Sequence, residues 1–141
     1  MNAKEYLGQA YRLDQEINAK LEQVGRLRAL AEKVTVSYEG EAVCRTRNVT
    51  SLQDTIVRIL EAEQALNAQI DRLVDVKMEI SDTISRVHNI NYRLILEKRY
   101  LCFEDWDSIA TEMNYSRRSV EMKHNNAVAV VDRLLQEKQT G

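Results

Sequence analysis

Residues 50–87 read TSLQDTIVRILEAEQALNAQIDRLVDVKMEISDTISRV, and the spacing of their apolar side chains decides the fold class. Leu52, Ile59, Leu66, Leu73, Ile80 and Val87 recur by sevens without exception, and Ile56, Glu63, Ile70, Lys77 and Ile84 follow them four residues on. Alternating steps of four and three lay one apolar stripe along a helix and demand a partner for it. Residues 3–34 repeat the pattern in Tyr6, Ala10, Leu13, Ile17, Val24, Leu27, Ala31 and Val34, with Lys20 as the misfit. Gly8 and Gly25 each weaken that helix by about 1 kcal/mol relative to Ala, less than so long a periodic face recovers by burial.

Thr50 and Gln53 read as a capping box at the start of the second helix. The stretch Thr35 to Val49, rich in Ser, Thr, Glu and Arg around Gly40, reads as a surface loop. Helices are therefore expected at about 3–34 and 51–87, joined by a loop at 35–50. Asn48-Val49-Thr50 matches a glycosylation acceptor but reads as part of the helix cap. Folded back antiparallel, the helices match where paired numbers sum to 83: Leu27 with Ile56, Val24 with Ile59, Ile17 with Leu66, Leu13 with Ile70. That register sets Lys20 against Glu63, a polar pair of the kind that fixes alignment. Lys77, opposite Tyr6, is expected to snorkel at the hairpin's end or face another subunit. Leu7, Leu21, Leu60 and Val74 widen the stripe beyond a two-stranded seam, which calls for a third helix or an oligomer. Pairing between chains rather than within one stays open.

Composition agrees. In 141 residues there are no prolines and 4 glycines, which excludes collagen, Pro-rich linkers and most all-β folds. Aromatic residues make up 6% and charged residues 30%, so the core is aliphatic and the surface charged. Cys44 and Cys102 form no C-x-x-C pair, which implies no disulfide framework and a reducing compartment. The N-terminus lacks an apolar signal core and no run approaches a membrane span, so a cytoplasmic protein without membrane contact is expected. His88 and His124 lack metal-ligand spacing; His88 reads as a helix-end residue and His124 as a surface or groove residue. No Gly-rich phosphate loop, nucleophile elbow or paired carboxylates occur, so neither catalysis nor a cofactor is expected.

Periodicity breaks at His88-Asn89-Ile90-Asn91, where an asparagine can cap a new helix running to about Leu101 with Leu94, Ile95, Leu96 and Tyr100. After Cys102-Phe103-Glu104, Asp105 caps a short helix, Trp106 to Met113, that buries Trp106, Ile109, Ala110 and Met113. Asn114 suits the left-handed conformation that ends helices. Ser116 caps the last helix, whose apolar positions are Val120, Ala127, Val130, Val131 and Leu134. The overall expectation is all-α: a long antiparallel coiled-coil hairpin over residues 1–88, then a helix-turn-helix domain over 89–141.

The run Asn91 to Tyr100, followed by Trp106 to Val120 and Ala127, resembles region four of bacterial sigma factors. The opening Asn2 to Leu7, Arg26 to Ala31, Ile70 to Asp75 and the Arg99–Ser116 motif extend a resemblance along the whole chain. It is to a phage and prophage family of small sigma-region-four-like proteins, similar to the ArpU and RinA late-gene transcription regulators. That resemblance implies a regulator that binds double-stranded promoter or operator DNA in a bacterial host cell. In helix-turn-helix geometry the leading residues of the second helix enter the major groove. Here those are Arg117, Arg118, Glu121 and Met122, then Lys123 and Asn125, with Ser116 and the amides behind it suited to a phosphate. The chain departs from the sigma pattern at Glu121, where a basic residue is common, and at Lys123, where an apolar one is.

From His88 onward eight Lys and Arg face eight Asp and Glu. A net-neutral module offers little phosphate neutralisation, so a second copy, with a dimer expected, or a partner such as RNA polymerase is implied. Two other functions stay open: a DNA-packaging adaptor like a small terminase subunit, and a polymerase-docking protein without base readout.

Overall fold

The computed structural model is all-helical. It describes the backbone of residues 1–40 and 45–140 and the side chains of residues 1–33 and 51–139, with no strand among them. In chain order come α1 (Ala3–Leu7), α2 (Gln9–Gly40), α3 (Arg45–Ser85), α4 (Ile90–Leu96), α5 (Trp106–Met113) and α6 (Arg117–Thr140); α4 continues as a π-turn over Glu97–Leu101. The stretch expected to loop, 35–50, is helical at both ends, since α2 reaches Gly40 and α3 starts at Arg45. Thr50 thus lies inside α3 rather than capping it. The physical reason is length: once a helix is nucleated, Ser, Thr and Val add only tenths of a kcal/mol of cost each, and no proline stops it. Cys44 and the middle of the expected loop fall outside the described residues.

The contacts divide the chain into two units, Met1–Leu13 with Leu73–Gly141, and Asp14–Arg72. In the unit of residues 14–72, Ile17 and Val24 on α2 and Ile59 and Leu66 on α3 are buried. The Arg28 guanidinium donates to the Glu63 carboxylate across the two helices. The expected Lys20–Glu63 pair is therefore replaced.

In the other unit, the Tyr6 hydroxyl shares a hydrogen bond of 2.9 Å with Thr83 rather than facing Lys77. The pairs 28 with 63 and 6 with 83 sum to 91 and 89, eight and six above the expected 83, so they lie one residue to either side of a one-heptad slip. A seven-residue slip leaves the alternation of fours and threes unchanged, so periodicity alone could not separate the two registers. Lys77, expected to snorkel or face a subunit, instead lies 4.6 Å from the Phe103 ring centroid.

Among the described residues this unit has the larger core. Ala3, Leu7 and Ala10 pack with Ile80, Ile84 and Val87 of the α3 end, Leu96 of α4, and Ala127, Val128 and Val131 of α6. Asn2 caps α1 by accepting from Glu5 N, and Ala3 N donates to Asp132 on α6 at 2.8 Å. Each fully buried Leu or Ile contributes about 1.5–3 kcal/mol. A second cluster, Ile95, Ile109, Ala110 and Val120, joins α4, α5 and α6. Phe103, in the left-handed region at φ 57°, ends the π-turn and is held there by an edge-on contact with Tyr11 at 5.6 Å.

Candidate nucleic-acid interface

Three side-chain caps build the C-terminal helices. Asn89 accepts from Asn91 N and Tyr92 N at the start of α4. Asp105 accepts from Ser108 N at 2.7 Å, a bond that also holds its carboxyl below the usual range. Ser116 accepts from Ser119 N at 3.1 Å. Such caps each contribute about 1 kcal/mol by satisfying amides that the helix leaves free. Between α5 and α6, Asn114 takes the left-handed conformation (φ 58°, ψ 38°) and Tyr115 N donates to Ala110 O at 3.0 Å, closing a tight turn.

Val120 is fully buried against Ile95, Ile109 and Ala110, which locks the rotation of α6. With that rotation set, Ser116, Arg117, Arg118, Glu121, Met122 and Asn125 are exposed and Lys123 is half-buried. Ser116, Arg118, Met122 and Lys123 come together, with Tyr92, Ser119 and Asn126, around an open groove of about 320 Å³. The Lys123 ammonium rests 5.0 Å from the Tyr115 ring centroid.

Arg117 and Glu121 are brought together differently. The Arg117 guanidinium donates to Glu121 at 3.2 Å and to Asp107 at 3.4 Å, so it is exposed yet flanked by two carboxylates. Arg118 makes no ion pair among the described residues and is the freer cation at this end of α6. Asn125 is exposed and is not among the residues lining the groove. Tyr92, Ser119 and Asn126 were absent from the sequence-based set. Ser119 and Asn126 could have been found from their three- and four-residue spacing to Ser116, Met122 and Lys123. Tyr92 could not, because it arrives by packing of α4 on α6.

Behind this face lies an aromatic cluster that corrects the reading of His124. That ring is 6% exposed. It lies within 2.5 Å of the Tyr100 hydroxyl through Nε2, and Trp106 packs edge-on at 4.6 Å between ring centroids. Burial, aided by the positive charge of Lys4, pushes its pKa down from 6.5 to about 4. Arg99 covers the other side of Trp106 at 4.5 Å and donates to Glu104 O at 3.0 Å. Lys98 donates to Glu112 at 2.6 Å, raising its own pKa and lowering that of Glu112. Lys98 and Arg99 are thus engaged in tying the π-turn to α5. Among the described residues no cluster of His, Cys, Asp and Glu could hold a metal ion, and no helix is long and apolar enough to cross a membrane.

Chemically, the face offers hydrogen-bond donors and two cations around a shallow, open concavity. Comparison of the chain with protein-family models, with curated proteins and with solved structures yields no match.

Proposed function

We propose that the chain is a phage-type transcriptional regulator that binds double-stranded DNA. The reading assigns residues 89–141 as a sigma-region-four-like helix-turn-helix and the long helices as an antiparallel hairpin for oligomerisation or partner docking. One observation carries it: a serine-capped α6, held on α5 by buried Val120, turns Arg118, Met122 and Lys123 outward around one groove. A guanidinium at that place can pair with guanine O6 and N7, worth about 1–3 kcal/mol of discrimination. The α6 amides beside Ser116 would meet a phosphate. Arg117, restrained by Asp107 and Glu121, becomes a positioning contact rather than the principal reader. Selection of bound duplexes from a random-sequence pool by the full chain tests this, with Arg118→Ala as the control that loses enrichment.

The charge balance favours one second reading. With Arg117 flanked by two carboxylates and acids equal to bases from His88 onward, docking on RNA polymerase without base readout fits the same face. Retention on immobilised polymerase in the absence of DNA, with no duplex enriched from the pool, would select it.

A further inference from the structure

A recessed cavity of about 280 Å³ is lined by Gly8, Tyr11, Arg99, Tyr100, Phe103 and Asp105. All six belong to the unit of residues 1–13 and 73–141. Three of its walls are aromatic rings. Phe103 stands in the left-handed region, rare for so bulky a side chain, and meets the Tyr11 ring edge-on at 5.6 Å between centroids. Tyr100 is held by the contact of its hydroxyl with His124. The π-turn brings both Tyr100 and Arg99 to this place.

The two charged groups decide what fits between the rings. Arg99 donates through Nη1 to Glu104 O at 3.0 Å, which leaves Nε and Nη2 without a hydrogen bond among the described residues. That remaining edge of a guanidinium is a planar fork matched to the two oxygens of a carboxylate. The Asp105 carboxylate accepts the Ser108 amide at 2.7 Å and the Ser108 hydroxyl, two of its roughly four acceptor positions. A lone cation would meet Arg99, and Lys77 at 4.6 Å from the Phe103 ring centroid; a lone anion would meet Asp105. A neutral ligand carrying one charge of each sign satisfies both with charge-assisted bonds, which are about twice as strong as neutral ones. The rings ask that the rest of it be flat and aromatic.

We propose that this cavity binds a free aromatic α-amino acid, its carboxylate on Arg99, its ammonium on Asp105 and its ring among Tyr11, Tyr100 and Phe103. Nucleic acid plays no part in this site, and its failure would leave the DNA-binding reading where it stands. Isothermal calorimetry of the full chain with L-phenylalanine is expected to show one site per chain with a Kd below about 1 mM. Phenylalaninamide lacks the carboxylate, 3-phenylpropionate lacks the ammonium and leucine lacks the ring; each is expected to bind at least about tenfold more weakly. Asp105→Asn keeps the helix cap but loses the charge, so it is expected to weaken phenylalanine at least about tenfold without weakening 3-phenylpropionate. Tyr11→Ala, at a position 48% exposed, is expected to weaken phenylalanine with helicity unchanged. No saturable heat up to about 10 mM phenylalanine, equal binding of any of the three analogues, or a folded Asp105→Asn or Tyr11→Ala that binds phenylalanine as the wild type does, each overturns the proposal. The analogue series on the wild type decides the matter even where a variant unfolds.

Discussion

Buried, neutral His124 makes the fold's stability depend on pH with a definite sign. In the unfolded chain the imidazole titrates near its ordinary 6.5, whereas in the folded protein burial holds it at about 4. Between those values the unfolded state binds a proton that the folded state refuses, so stability rises with pH across this window. The contribution is fully present above pH 6.5 and is lost as pH falls toward 4. At 1.36 kcal/mol per unit the shift is worth about 3 kcal/mol, a large part of the stability of a small domain. The groups facing the ring are Lys4, Arg99, Tyr100, Trp106, Glu121 and Asn125. Glu121 and Asn125 oppose the shift, and burial outweighs them.

Urea unfolding of the wild type and of His124→Gln at pH 7.5, 6.5, 5.5 and 4.5 isolates this contribution, because every other titrating group is common to both. The level of the variant falls through lost ring packing, but its slope against pH is expected to be shallower by about 1 kcal/mol per unit between 6 and 4.5. Parallel slopes for the two proteins would refute the burial argument.

Other outcomes follow from the same packing. Val120→Ala removes two methyl groups from a fully buried site and is expected to cost about 2 kcal/mol in chemical denaturation, with little loss of total helicity. Ser116→Ala deletes the bond to Ser119 N and is expected to cost about 1 kcal/mol, with Ser116→Asp restoring most of it. Arg117→Ala breaks two exposed ion pairs and is expected to shift stability by less than about 0.5 kcal/mol, the shift shrinking further in high salt.

Much of this architecture was legible in the chain, for identifiable reasons. Asn89, Asp105 and Ser116 announce helix starts because their short side chains satisfy free amides, and Asn114 announces a stop because it tolerates positive φ. Val120 was readable as the anchor of α6 from its spacing to Ala127 and Val131. His124 was misread although the signal was present: 120, 124, 127 and 131 step by four, three and four, which places the histidine on the same buried stripe. The chemistry of an imidazole, polar by type, hid what its position declared.

Four features had no local signal. The partners of Tyr6 and of Glu63 were open to a slip of about one heptad, and Thr83 and Arg28, each remote in sequence, take the places the periodicity gave to Lys77 and Lys20. The joining of Ala3, Leu7 and Ala10 to Ala127, Val128 and Val131 spans nearly the whole chain, and no periodicity within either segment encodes it. At the candidate interface, Arg117 and Arg118 are adjacent and look equivalent. Their difference arises from Asp107, which α5 brings within reach of Arg117 through the Asn114 turn. The π-turn over Glu97–Leu101, which aims Tyr100 at His124, was equally silent in the sequence.

The measurement that bears most directly on the DNA-binding reading is fluorescence anisotropy of the full chain against a duplex selected from a random pool, wild type beside Arg118→Ala and Arg117→Ala. The expected result is enrichment of a definite sequence and a loss of at least about tenfold in affinity for Arg118→Ala, with a smaller loss for Arg117→Ala. A pool that yields no enriched duplex, or an affinity untouched by Arg118→Ala, would contradict it.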